Sequence, residues 1–181
     1  MEKRVLRKYD GKKQMWLHNI IELLVIFSVV FILLHFVIGV SFVKGDSMFP
    51  TLHNNELAFY TRIIPHFEQG DVLSVRMPSG EYYVKRVVAI GGDTVDIRDG
   101  KLYINGELKD EPYVNGETKK KVGGVQFPYT VEEGKVFVMG DNRKESMDSR
   151  DFGAVIRKQI KGKLWMHAGK VDGKFTVKGL W

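Results

Sequence analysis

The sequence predicts a mainly β protein: a single amino-terminal transmembrane helix followed by an all-β domain. Three observations predict it. Residues 17–43 form an almost continuous apolar run, with no charge between Leu23 and Leu34. After Pro50 the helical period disappears, and short runs rich in Val, Ile, Tyr and Phe follow, bounded by Gly, Pro or Asn. The chain of 181 residues is 44% hydrophobic, enough for one globular core and a membrane segment.

The apolar run exceeds the roughly 20 residues that cross a bilayer core. Six bases (Lys3, Arg4, Arg7, Lys8, Lys12, Lys13) and three acids (Glu2, Asp10, Glu22) lie within residues 1–43, and no comparable basic cluster follows the run. This asymmetry keeps a leader, residues 1–16, in the cytoplasm and places residues 44–181 outside, with residues 17–43 as a single-pass anchor in the cell membrane. Gly39-Val40-Ser41 also has the small residues of a signal-peptide cleavage site. The long basic leader and long apolar stretch favour an uncleaved anchor.

Strands are expected at Leu57–Ile63, Asp71–Met77, Glu81–Ile90, Lys135–Met139 and Ala154–Trp165. "VDIRDGKLYING" reads as a hairpin turning at Asp99-Gly100, a dipeptide suited to positive φ. Residues 105–124 are polar and turn-rich and are expected as an exposed excursion. The absence of cysteine excludes disulfides and thiol catalysis. The formal charge of +6 is concentrated beside the apolar run, which speaks for a membrane flank and against nucleic acid as a partner. No histidine spacing suits a metal site, and no cofactor is implied.

"GDSMFPTLH", residues 45–53, places Ser47 just beyond the apolar run, with Met48, Phe49, Pro50 and Leu52 behind it. Phe49 stands where a nucleophile elbow needs glycine, so a reactive Ser47 requires another arrangement. His53 could complete a Ser-His-Asp triad, but it also suits a polar turn before Asn54-Asn55. In "EYYVKRVVAIGGD", strand alternation puts Lys85 with Tyr83, Val87 and Ala89, and Arg86 with Val84, Val88 and Ile90. One cation must therefore lie among apolar neighbours. Lysine can lose its proton there and arginine cannot, so a buried Lys85 could serve as general base to a serine. A snorkelling lysine at a strand edge explains this stretch alone equally simply. In "GDNRKESMDSR", Asp148 and Arg150 alternate about Ser149, which would let them pair in an extended chain.

Together these three stretches, in this order after an anchor, resemble the type I signal peptidases, Ser-Lys endopeptidases that remove signal peptides from secreted preproteins. The resemblance covers nearly all of the chain from residue 16. It implies the signal-peptidase β fold, with Ser47 as nucleophile and Lys85 as general base. It also implies that Ser146 orients the lysine amine and that Asp141, Arg143, Asp148, Arg150 and Arg86 support the site. Met48, Pro50, Leu52, Tyr83 and Val84 would shape a shallow pocket for small residues, as in A-x-A. The partners implied are signal-peptide-bearing preproteins and the lipid bilayer, with apolar residues near Ser47 as candidates to face the lipid; Trp165 suits the same edge, since indole favours the interface, and equally suits the core. Some members carry a serine two residues before the nucleophile; here Gly45 stands there, leaving the oxyanion to backbone N–H groups, chiefly that of Ser47. Glycine at that position, one anchor and a short chain resemble the Gram-positive form.

Two rivals use the same residues differently. A self-cleaving Ser-Lys repressor protease should carry a DNA-binding module, where this chain begins with an apolar anchor. An anchored β-domain that only binds partners leaves the joint presence of Ser47, Lys85 and the 140–150 segment unexplained.

Overall fold

The computed structural model describes residues 2–77, 79–171 and 173–180, which fall into two compact units divided after Ile38. The first is helical: α1 spans Glu2–Ile32 and ends in a π-helical turn, Leu33–Val37. Gln14–Val37 is long and apolar enough to cross a membrane. Within it Glu22 lies 3.2 Å from the His18 imidazole one turn earlier. The apolar run of residues 17–43 is therefore not one helix. Its last part, β1 (Ile38–Phe42), is an edge strand of the larger of two β-sheets, where β-branched Ile38 and Val40 alternate with small Gly39 and Ser41.

The second unit is built from two antiparallel sheets. The larger contains β1, β2 (Leu57–Thr61), β3 (Val72–Arg76) and β4 (Tyr82–Ile90). It is completed by β9 (Lys135–Met139), β10 (Val155–Ile156), β11 (Ile160–Val171) and β12 (Lys174–Gly179). Its order is β1-β2-β11-β3-β4-β9-β10, with β12 also paired to β11. The smaller sheet has the order β7-β6-β5-β8, from β5 (Thr94–Arg98), β6 (Lys101–Ile104), β7 (Glu107–Leu108) and β8 (Tyr129–Thr130). Asp99 and Gly100 both have positive φ, 48° and 75°, and close the expected β5–β6 hairpin in the register Arg98↔Lys101.

The carboxy-terminal strand differs from the expected Ala154–Trp165. After β10 a 3-10 turn, Arg157–Gln159, interrupts the pattern, held by the Ile156 N–H donating to Gln159 Oε1 at 3.0 Å. Beyond it β11 continues to Val171 and pairs with β3, β2 and β12, helped by register shifts near Gly162 and Trp165. Trp165 is half-buried, its ring 6.2 Å from that of Phe59. Most residues of the excursion, 105–124, are exposed, but part of it packs against the domain. It carries β7, and Thr118 is buried while Glu111 and Tyr113 are partly so.

Two apolar clusters position the site. Val43, Met48, Leu52, Ala58, Tyr60, Val72 and Leu164 pack beneath the Ser47 turn. Val88, Ala89, Val95, Leu102, Ile104, Phe137 and Met139 join the two sheets. The Phe137 ring is fully buried, 5.1 Å from the ring of Tyr129 and 6.2 Å from that of Phe127. Phe137→Ala is expected to reduce unfolding free energy by about 3–5 kcal/mol, measured by denaturant titration. A loss below about 1 kcal/mol would show that this junction is not tightly packed.

Candidate active site

Ser47 sits in a tight turn whose Phe49 N–H donates to the Asp46 carbonyl at 3.1 Å and whose Leu52 N–H donates to the Met48 carbonyl at 2.9 Å. The second bond draws Leu52 inward, into the cluster with Tyr60 and Leu164. Pro50 and Phe49 are exposed. The turn is anchored by Asn142, whose N–H donates to the Ser47 carbonyl at 3.0 Å and whose side-chain amide donates to the Asp46 carbonyl at 3.1 Å. Gly45, at φ 79°, donates its N–H to Asn54 Oδ1 at 2.9 Å.

β4 brings Lys85 to this turn. Its side chain is 3% exposed, and Nζ donates to Ser47 Oγ at 2.7 Å and to the Val84 carbonyl at 3.0 Å. Nζ also lies 5.4 Å from the Tyr83 ring centroid. Burial pushes the amine down from 10.5 to about 8; Asp148 and Asp141 oppose the shift and Arg150 adds to it. Thus the residue facing Ser47 is the cation that can become neutral.

Its neighbour Arg86 pairs with Asp141, through Nε to Oδ1 at 2.9 Å and Nη2 to Oδ2 at 2.7 Å. It also donates to the Gly70 carbonyl and lies 4.0 Å from the Tyr113 ring centroid. Thr51, beside the serine turn, donates to Asp141 Oδ2 at 2.5 Å. Asp148 and Arg150 pair through two 2.8 Å bonds. They do so at the start of α2 (Ser149–Phe152) and not in an extended chain, because Asp148 caps that helix and forms a capping box with Asp151. Burial alone would raise the Asp148 carboxyl, but Arg150 and the Gly140 N–H hold it below the usual carboxylate range.

Arg143, 1% exposed, finds its counter-charge in the excursion. Glu111 accepts two bonds from it, at 3.0 and 2.6 Å, and Thr118 a third. Asn115 continues this strap by backbone bonds to Asp141 and Arg143. The contact from Ser146 to the lysine amine, implied by the resemblance, is not among the bonds of Lys85. Ser146 Oγ is buried near Asp148, close enough to favour its ionised form but without a well-aligned hydrogen bond. It fills space left by Gly140, where a Cβ would come within 2.3 Å of that oxygen and 2.5 Å of the Ser47 carbonyl.

A cavity of about 540 Å³ opens beside the Ser47–Lys85 pair. Of the residues named for a substrate pocket, Met48, Tyr83 and Val84 line this cavity, together with Val43, Ser74 and Met147; Pro50 and Leu52 do not. On one side lies the end of β1, on the other Tyr82–Lys85 of β4. Those β4 residues pair with β3 alone, since the β9 ladder begins at Arg86. Among the described residues, a strand edge thus faces the cavity. His53 turns toward Glu56 and Phe49, so its described contacts do not serve Ser47.

Glu111, Thr118, Tyr113, Thr51 and Asn142 were not singled out from sequence as site residues. Asn142 lies within the "GDNRKESMDSR" stretch, and its place beside Asp141 was the available signal. Glu111 and Thr118 sit in a polar, turn-rich segment whose composition looks solvated.

Residues 16–167 match the family model described as signal peptidase, peptidase S26. Signal peptidase I S of Bacillus subtilis (strain 168) is 41% identical over 151 residues, covering 76% of this chain and 82% of that protein. Signal peptidase IB of Staphylococcus aureus (strain Mu50) is 36% identical over 171 residues, covering 84% and 88%. A crystal structure of a signal peptidase I from Enterococcus faecalis V583 superposes with a TM-score of 0.50 at 33% identity, covering 56% of this chain and 99% of that one.

A lysine buried at the cost of its charge leaves a mark on stability. Below pH 8 the folded state must hold the charged amine, at a cost of about 3 kcal/mol. Between pH 8 and 10.5 the unfolded chain binds the proton and the folded one does not, so stability rises with pH. Lys85→Met should therefore be more stable than the wild type at pH 7, the gap closing toward pH 10.5. Denaturant titrations across that range check it; a gap independent of pH would contradict the assignment.

Proposed function

The chain belongs to the signal peptidase family, peptidase S26, and is a serine-type signal peptidase I; from that premise we propose that Ser47 and Lys85 are its catalytic dyad, working on preproteins at the outer membrane surface. The observation that carries this reading is the 2.7 Å bond between Lys85 Nζ and Ser47 Oγ at the edge of a cavity. An amine with pKa about 8 is neutral in roughly a quarter of molecules at pH 7.5, against about one in a thousand for an ordinary lysine.

Neutral Lys85 takes the Ser47 proton as Oγ attacks the scissile carbonyl. The Ser47 N–H stabilises the oxyanion. The resulting ammonium then protonates the leaving amine, freeing the mature protein and leaving the signal peptide acylated to Ser47. A water deprotonated by Lys85 hydrolyses that ester and restores the pair. Arg86–Asp141, Arg143–Glu111 and Asp148–Arg150 hold the frame in which this occurs. The substrate pairs as an added strand against the open edge of Tyr82–Lys85. Its small P1 and P3 side chains enter a cavity walled by Met48, Tyr83 and Val84.

Residues 1–16 lie in the cytoplasm, the apolar helix crosses the membrane and the β domain faces outward, as the basic flank favours. Trypsin added to right-side-out vesicles should then cut at Lys119–Lys121, beside the fully exposed Val122. Protection of that segment until lysis would place the domain on the other side.

The dyad is tested with peptides bearing alanine at P3 and P1. The wild type should cut after the P1 alanine. Ser47→Ala should abolish cleavage, and Lys85→Arg should reduce it by at least about 10³-fold, because guanidinium cannot accept the proton. Substantial turnover by folded Lys85→Arg protein would show that another group is the base. Efficient cleavage after a bulky P1 residue would refute the small-residue pocket.

A further inference from the structure

Glu56 is 1% exposed and takes no part in the chemistry above. It closes the loop that carries Ser47. The Val43 N–H donates to the Glu56 carbonyl at 2.8 Å, and the Asn55 N–H donates to the Val43 carbonyl at 2.9 Å, so the two ends of residues 43–56 are joined. The carboxylate adds a second tie. Oε2 accepts the His53 N–H at 3.0 Å and lies 2.8 Å from Nδ1 of His167 on β11. Oε1 faces His53 Nδ1 at 3.6 Å, and the His53 ring packs edge-on against Phe49, two residues from the nucleophile. One buried carboxylate therefore links the exit of the loop to a central strand and, through His53 and Phe49, to the turn beside Ser47. Gly169 leaves the room for it: a Cβ there would lie 2.5 Å from Glu56 Cγ.

We propose that Glu56 is a positioning residue for the peptidase reaction, holding the loop so that Ser47 stays within hydrogen-bonding distance of Lys85. The inference rests on the Ser47–Lys85 reading. Catalytic groups must be held to about 0.5 Å, and a displacement of about 1 Å can cost about 100-fold in rate. The groups facing Lys85 itself are Tyr83, Asp141, Asp148 and Arg150, and the described bonds of the Glu56 carboxylate go to His53 and His167. Movement of the loop would instead admit water to the amine.

Two variants test it on the full-length protein in detergent, with an A-x-A peptide. Glu56→Ala removes the carboxylate, whereas Gly169→Ala keeps every charge and displaces Glu56 by steric pressure. Both should lower kcat, by about 10- to 100-fold for Glu56→Ala and less for Gly169→Ala, with KM within about threefold. In both, at pH values where the variant is shown by circular dichroism to be fully folded, the alkaline rise of the rate should move upward toward the range of an ordinary lysine. Where Glu56→Ala fails to fold, Gly169→Ala decides. Folded variants with wild-type kcat and pH profile, or with a loss confined to KM, overturn the proposal. A wild-type protein that leaves the peptide uncut overturns the dyad reading, and this inference with it.

Discussion

The central constraint on the β domain is one lysine amine held out of water and 2.7 Å from a serine hydroxyl. A charged amine in such a place is unfavourable by several kcal/mol, so the fold must supply that energy elsewhere. The cluster beneath the serine turn and the cluster joining the sheets are where apolar burial can offset it. Arginine at position 85 would keep its charge in the same surroundings. The residue type and the degree of burial are therefore one constraint.

Three buried guanidinium groups each have a carboxylate of their own: Arg86 with Asp141, Arg143 with Glu111, Arg150 with Asp148. Removing one member of such a buried pair leaves an uncompensated charge, which is far more costly than replacing both. At Lys85 the Asp148 and Asp141 carboxylates raise the proton affinity and Arg150 lowers it, and burial outweighs them. Their hydrogen bonds also reach the backbone at Gly70, Gly140, Arg143 and Lys119, so the charges fix chain paths as well as each other. The pairs thus fix the chain around the buried amine.

The features legible in sequence are those set by local pattern. Asp99-Gly100 needs positive φ whatever surrounds it, and the β5–β6 hairpin follows. The period-two pattern at Tyr82–Ile90 marked a cation among apolar side chains, and the resemblance selected Lys85 together with Ser47. Long-range pairing was not legible. Glu111 and Thr118 have the composition of a solvated loop, and only the folded chain brings them to Arg143. Leu52 and Pro50 were expected in the cavity because they follow Ser47, but the turn sends one into the core and the other to the surface. The end of the apolar run became a strand because pairing with β2 can use residues 38–42 as readily as a bilayer could.

The proton affinity of the Lys85 amine tests this account most directly. With ¹³C-labelled lysine in the full-length protein in detergent micelles, the Cε resonance of Lys85 can be assigned by its loss in Lys85→Arg and followed across pH. The account predicts a midpoint near pH 8. A midpoint near the 10.5 of an ordinary lysine would mean that the amine is charged at neutral pH, and Ser47 would need a different base.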